Sequence, residues 1–168
     1  CDSAYQYVKK NSIDAFGHVK MVQPPATTLT GNKLHYDGNT KRAKVVGNVV
    51  LVDKKMTLKT DLLNYETDKG IGYYTTGAHI VDGENTLTST KGSYNTKSDF
   101  FTFKDSVKLV NKDYTIDCDT LNYASNTKIA YFHGPTNIRS ESGNLFAFDG
   151  EYNTITGEST FSKDAAID

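Results

Sequence analysis

At 168 residues the chain is long enough to bury one real core. Its 19 basic and 20 acidic residues are scattered and leave a net charge of −1, so there is no basic stripe of the kind a nucleic-acid partner requires. No apolar run approaches the roughly 18 to 20 residues that span a bilayer as a helix, and the start lacks the basic, apolar and small-residue order of a signal.

Apolar residues do not fall at helical spacing, whereas period-two alternation is common, so the predicted elements are strands. In chain order they are expected at 16–22, 27–36, 42–52, 56–65, 71–81, 85–94, 100–110, 114–123, 129–139, 144–152 and 158–167. Val45, Val49 and Leu51 mark the third of these. Phe101, Phe103, Val107 and Leu109, with Lys104 and Lys108 between them, mark the seventh. Abundant Tyr, Phe, Thr, Val and Ile, with only three prolines, agree. Between the strands lie short stretches such as Asp37-Gly38-Asn39 and Asp82-Gly83-Glu84-Asn85, whose residues supply positive φ and local hydrogen bonds. Strands joined by such loops predict an antiparallel meander.

Tyr36, Tyr65, Tyr94, Tyr123 and Tyr152 stand 29 residues apart, and Thr28-Leu29, Thr57-Leu58, Thr86-Leu87 and Thr115-Ile116 keep the same phase, continued more weakly by Asn144-Leu145. Two further apolar columns follow: Val45, Tyr74, Phe103, Phe132 and Phe161, then Leu51, Ile80, Leu109, Ile138 and Ile167. Periods of roughly 20 to 50 residues predict stacked units, each burying its apolar face against its neighbours. Gly17-His18-Val19-Lys20-Met21-Val22 matches Gly47-Asn48-Val49-Val50-Leu51-Val52 with an offset of 30, and the same offset sets Cys1-Asp2-Ser3-Ala4 over Cys118-Asp119-Thr120-Leu121. One domain over 1–168, starting in mid-unit and belonging to a longer protein, is the expectation.

Alternation slips partway along the tyrosine-bearing strands. Leu58 and Thr60 share one parity, Leu63 and Tyr65 the other. A change of parity at a fixed place is what a β-bulge or bend produces. Each strand is therefore expected to fold over, giving two facing half-sheets with an apolar trough between them. The first and last strands would leave backbone groups free for edge-to-edge pairing.

Gly47-Asn48-Val49-Val50-Leu51-Val52, followed by Thr57-Leu58-Lys59-Thr60-Asp61-Leu62-Leu63-Asn64-Tyr65 and its recurrence through Cys118-Asp119-Thr120-Leu121-Asn122-Tyr123, resembles the OstA-like family over essentially the whole chain. This is the LptA-like bridge domain of lipopolysaccharide transport. The resemblance implies an all-β, V-shaped jellyroll in the periplasm whose interior shields the acyl chains of lipopolysaccharide on their way to the outer membrane. It implies partners of two kinds: those acyl chains, and related jellyroll domains, whether a second copy or inner- and outer-membrane transport components, joined by edge strands. No cofactor and no catalysis are implied. The residues that would carry lipid are the inward columns: Val45, Leu51, Leu58, Leu63, Tyr74, Ile80, Leu87, Phe103, Leu109, Ile116, Leu121, Phe132, Ile138, Leu145 and Phe161. For any one of them, plain core packing is the competing role. Gly72, Gly92 and Gly150 would leave room in the trough or mark bulges.

Other constellations point to structure. His18, His35, His79 and His133 lack metal-ligand spacing and are expected on the surface. Asp117 and Asp119 flank Cys118 on one face of a strand, but the equivalent positions Lys59 and Asp61 do not keep the pair, which argues against acid–base work. The tyrosine column is expected to stabilise neighbouring strands rather than to bind sugar. Cys1 and Cys118 sit about four units apart, on the order of 38 Å at roughly 4.8 Å per strand, and are not expected to pair. The rival to a lipid carrier is a secreted or cell-surface β-scaffold or adhesive module, whose interior would be tightly packed with no continuous opening.

Overall fold

The computed structural model describes residues 1–163 and 165–167, the last of these by its backbone alone. Its strands are β1 (Ser3–Tyr7), β2 (Ser12–Gln23), β3 (Thr27–Asp37), β4 (Arg42–Asp53), β5 (Met56–Glu66), β6 (Ile71–Tyr74), β7 (Ala78–Asp82) and β8 (Asn85–Ser89). They continue as β9 (Lys91–Asn95), β10 (Phe100–Val110), β11 (Tyr114–Ala124), β12 (Ile129–Ser140), β13 (Gly143–Asn153), β14 (Ser159–Ser162) and β15 (Ala166–Ile167). A 3₁₀ turn at Val8–Lys10 joins the first two strands. All pair antiparallel in one sheet that follows the expected meander, with β5 pairing both β6 and β7, β6 also pairing β9, β10 pairing both β8 and β9, and β13 pairing both β14 and β15.

Alternation is what folds these segments. In β10, Phe101, Phe103, Val107 and Leu109 are buried while Lys104 and Lys108 face solvent. In β4, Ala43, Val45, Val49, Leu51 and Asp53 are buried. Three expected strands are broken instead, the last of them, 158–167, into β14 and β15. The segment 71–81 divides into β6 and β7 around Thr75, Thr76 and Gly77, and 85–94 divides into β8 and β9 at Thr90. Gly77 takes φ +86°, a value that glycine adopts freely, and an extended ladder cannot continue through it. At the N-terminus β2 begins four residues earlier than expected and β1 was not foreseen, because its residues are all exposed and leave no alternation to see. At the far end, the side chain of Ile167 lies outside the described residues.

The parity change has a defined cause, placed differently from the expectation. Two residues oppose one between β2 and β3, where Gly17 and His18 face Asn32, and between β4 and β5, where Gly47 and Asn48 face Asp61. The same happens where Asp105 and Ser106, or Gly134 and Pro135, face Asp119. Gly17, His18, Gly47, Asn48, Asp105, Ser106 and Gly134 all have φ between +44° and +81°. The extra residues thus belong to the strands preceding or following the tyrosine-bearing ones, which contribute only the single opposed residue. Such bulges bend the sheet. Every long strand crosses from one half-sheet to the other at this crease, so that Leu58 and Leu63 are both buried despite opposite parity.

The half-sheets face each other and share one core, from Leu29 through Leu63 and Phe103 to Phe132. The glycines expected to leave room are filled from across the ladder. A Cβ on Gly92 would lie 2.5 Å from Tyr74 Oη, one on Gly150 2.5 Å from Phe161 Cδ1, and one on Gly72 3.4 Å from Tyr65 Cδ2. In each case glycine seats the aromatic ring of its cross-strand partner.

Both cysteines are free, Cys1 exposed and Cys118 buried, and burial pushes the Cys118 thiol up to about 12. Iodoacetamide at about pH 8 is therefore expected to alkylate Cys1 alone in native buffer and both cysteines in denaturant, because the thiolate is the nucleophile. Intact mass reads the difference, and a doubly alkylated native protein would contradict this packing of β11.

Candidate functional site

The interior between the half-sheets is the one place where the apolar columns converge. Val45, Leu51, Leu58, Leu63, Tyr74, Ile80, Leu87, Phe103, Leu109, Ile116, Leu121 and Phe132 are buried there. Ile138, Leu145 and Phe161 are half-buried at the C-terminal end. All fifteen expected residues thus point inward, but into two different surroundings.

Along the first part of the stack the two walls touch. Between them lies a cavity of about 40 Å³ lined by Ile80, Leu87, Phe101, Phe103, Tyr123, Ala130 and neighbouring residues. An apolar void of that size holds about one water and no acyl chain. Toward the C-terminus the walls separate into a groove of about 410 Å³, lined by Ile116, Ile138, Leu145, Tyr114, Tyr152 and Phe161 with Ser140, Ser142 and Asn144 at its margin. An open trough was expected along the whole stack. Among the described residues it opens only at this end, because the large aromatic and aliphatic side chains of β4 to β11 fill the space before it.

Polar side chains close the seam where the walls touch. Tyr65 Oη donates to Gln23 Oε1 at 2.7 Å. Tyr94 Oη donates to Asp53 Oδ2, while Thr27 Oγ1 donates to Asp53 Oδ1 at 2.8 Å. Asp53 is only 4% exposed, so these bonds stand in for the water it has lost. Burial, then the Asp53 and Asp99 carboxylates, hold the Tyr94 hydroxyl far above its ordinary pKa. Outside this pair Lys54 Nζ bridges to Asp99 Oδ2 at 2.6 Å. The tyrosine column therefore works across the seam as well as along it: Tyr94 stacks on Phe101 with centroids 4.1 Å apart, and Phe101 in turn contacts Tyr123.

Sequence reasoning missed Gln23, Thr27 and Asp53, which read as turn residues or lay outside the apolar columns. One signal was available, since Asp53 and Asp82 share the 29-residue spacing of the tyrosines.

Among the described residues the outer face holds no comparable assembly. His18, His35 and His133 pair with Asp2, Asp14 and Asp149 at 3.0, 2.6 and 3.4 Å on the solvent side. Asp117 is bound by Arg139, and Asp119 is exposed. Among the described residues no group of three His, Cys, Asp or Glu side chains is placed to hold a metal.

Comparison with known proteins gives three results. The family described as OstA-like protein matches residues 1–119. No curated protein matches. Among solved structures, LptH, the LptA homologous periplasmic component of the conserved lipopolysaccharide transport device from Pseudomonas aeruginosa, is 12% identical, covers 82% of each chain and gives a TM-score of 0.35, too low for inference from its fold.

Proposed function

The chain belongs to the OstA-like family, and from that premise we propose that it is a lipid-binding bridge domain that shields the acyl chains of lipopolysaccharide during transfer across the periplasm to the outer membrane. The observation that carries this is the groove of about 410 Å³, in which the buried columns surface as Ile116, Ile138, Leu145 and Phe161. An acyl chain lying there gains about 0.8 kcal/mol for each methylene withdrawn from water. No covalent step is required of any side chain. Ser140, Ser142 and Asn144 at the groove margin suit the polar part of an amphipathic cargo.

Partners fit the same frame. Among the described residues β1 pairs only with β2, and its residues are all exposed, so a ladder edge is offered to a related jellyroll domain. At the opposite end β14 and β15 flank β13 and present the second edge.

The packed interior ahead of the groove favours a second reading, a repetitive β-scaffold without lipid cargo. One experiment divides the two. Titration of radiolabelled lipopolysaccharide into the detergent-free protein is expected to saturate in the micromolar range, and Leu145→Asp is expected to weaken binding at least tenfold while the protein stays folded. Absence of any binding at those concentrations would leave only the scaffold.

A further inference from the structure

The bonds across the seam follow a single register. Tyr65 meets Gln23, 42 residues earlier, and Tyr94 meets Asp53, 41 residues earlier. Continued by 29 residues, the series brings Tyr123 to Asp82 and Tyr152 to Asn111. Neither later pair forms a hydrogen bond among the described residues. Tyr123 and Asp82 both line the cavity of about 40 Å³. Tyr152 turns its ring edge-on to Tyr114, with centroids 5.1 Å apart, where the groove has widened to about 410 Å³. The interior is shut where the rim bonds are made; where they lapse it holds first the void of about 40 Å³ at Tyr123 and Asp82, and then, at Tyr152, the groove of about 410 Å³.

We propose that these contacts form a zipper along the seam, with Asp53 and Tyr94 as its last closed pair, and that this pair parts to let an acyl chain run inward from the groove. The second half of this statement rests on the lipid-binding function proposed above.

Two features make the pair releasable. When the rims separate, neither partner is left without a hydrogen bond. Asp53 keeps Thr27, on its own half-sheet, at 2.8 Å. Tyr94 has Asp99 Oδ1, on its own side, at 3.2 Å. A latch whose halves both retain a partner avoids the full penalty of an orphaned buried group. The Lys54–Asp99 ion pair also spans the seam, but Lys54 is exposed and Asp99 partly so, and a pair open to solvent adds little. The second feature is the crease behind Tyr94. There β8 and β9 are interrupted at Thr90, and the neighbouring β6 and β7 at Thr75–Gly77, so the walls are joined by short non-ladder segments.

Amide hydrogen exchange of the full chain tests the latch directly. In Tyr94→Phe, which keeps the ring and removes the hydroxyl, amides of residues 51–53 and 92–95 are expected to exchange about tenfold faster, the factor for losing one bond to a buried carboxylate. Tyr73→Phe should leave them unchanged. Tyr65→Phe is the second variant, with faster exchange expected around Gln23. Unchanged rim exchange in a folded Tyr94→Phe protein, or a uniform rise over the whole sheet, would overturn the latch. A dansylated long-chain fatty acid tests its use: Tyr94→Phe should bind the probe several-fold more tightly than the unaltered protein. Faster rim exchange with no probe bound by either protein would retain the latch and refute the lipid function.

Discussion

Phe132→Ala is expected to lower the unfolding free energy by about 3–5 kcal/mol, a large part of the roughly 5–15 kcal/mol that holds a domain together. Phe132 is 0% exposed in β12, and its ring stacks near Phe161 with centroids 6.5 Å apart. Its ladder partners are Leu121 on one side and Gly150 on the other. Glycine has no side chain to move into the vacated volume, and Phe161 is already seated over Gly150. The cavity therefore collapses poorly, which places the cost in the upper part of the range for large-to-small changes. Guanidinium denaturation followed by circular dichroism measures it. A loss below about 1 kcal/mol would mean that this column is not the core of the C-terminal half.

The second large effect comes from adding a single methyl group. Gly92→Ala would ordinarily stabilise an extended segment by reducing the freedom of the unfolded chain. Here the new Cβ meets Tyr74 Oη at 2.5 Å, Cζ at 2.7 Å and Cε1 at 2.9 Å. The ring cannot simply retreat. Its hydroxyl lies 2.5 Å from Ser89 Oγ, which itself donates to the Lys91 carbonyl at 3.0 Å, leaving Tyr74 as the donor in the first bond. Burial pushes the Tyr74 hydroxyl up to about 12, so it remains a donor throughout the neutral range. Overpacking costs about 1–3 kcal/mol and a broken buried bond about 1–3 more, so a loss of about 2–6 kcal/mol is expected. The test of cause is a double-mutant cycle. Gly92→Ala should cost little in a Tyr74→Ala background, and a coupling energy near zero would place the damage elsewhere.

Much of this fold can be read from residue order. Strands such as β10 were visible because large apolar and polar side chains alternate along them, and the burial of Phe101, Phe103, Val107 and Leu109 obeys that alternation. The crease was visible as a slip between Leu58 and Leu63, yet its cause lay in the neighbouring strand, where Gly47 and Asn48 adopt left-handed backbone that spacing alone does not reveal. At Asp105 and Ser106 the same geometry is taken by residues with no glycine to announce it. The breaks at Thr75–Gly77 and Thr90 were hidden by apolar and tyrosine columns that continue on both sides of them.

The candidate site was legible in its apolar part and opaque in its polar part. Columns spaced by 29 residues mark what faces inward, because a fixed spacing in a meander keeps a residue on one face of the sheet. They do not reveal whether the facing walls touch. That depends on how the half-sheets are offset, and the offset that brings Tyr94 to Asp53 and Tyr65 to Gln23 is a property of the bent sheet as a whole. Gln23 and Asp53 looked like turn residues and Thr27 lay outside the apolar columns; all three stand at strand ends, which is also where the rims meet.

Site-specific photo-crosslinking tests the central claim most directly, namely that the space between the half-sheets is the lipid path. A photoreactive phenylalanine analogue replaces Ile138 in the groove or, in a separate protein, the outward-facing Val46. Each is irradiated with lipopolysaccharide present. The expected result is a lipid adduct from position 138 and none from position 46. Adducts from position 46 alone, or from neither position in folded protein, would contradict an inner lipid path.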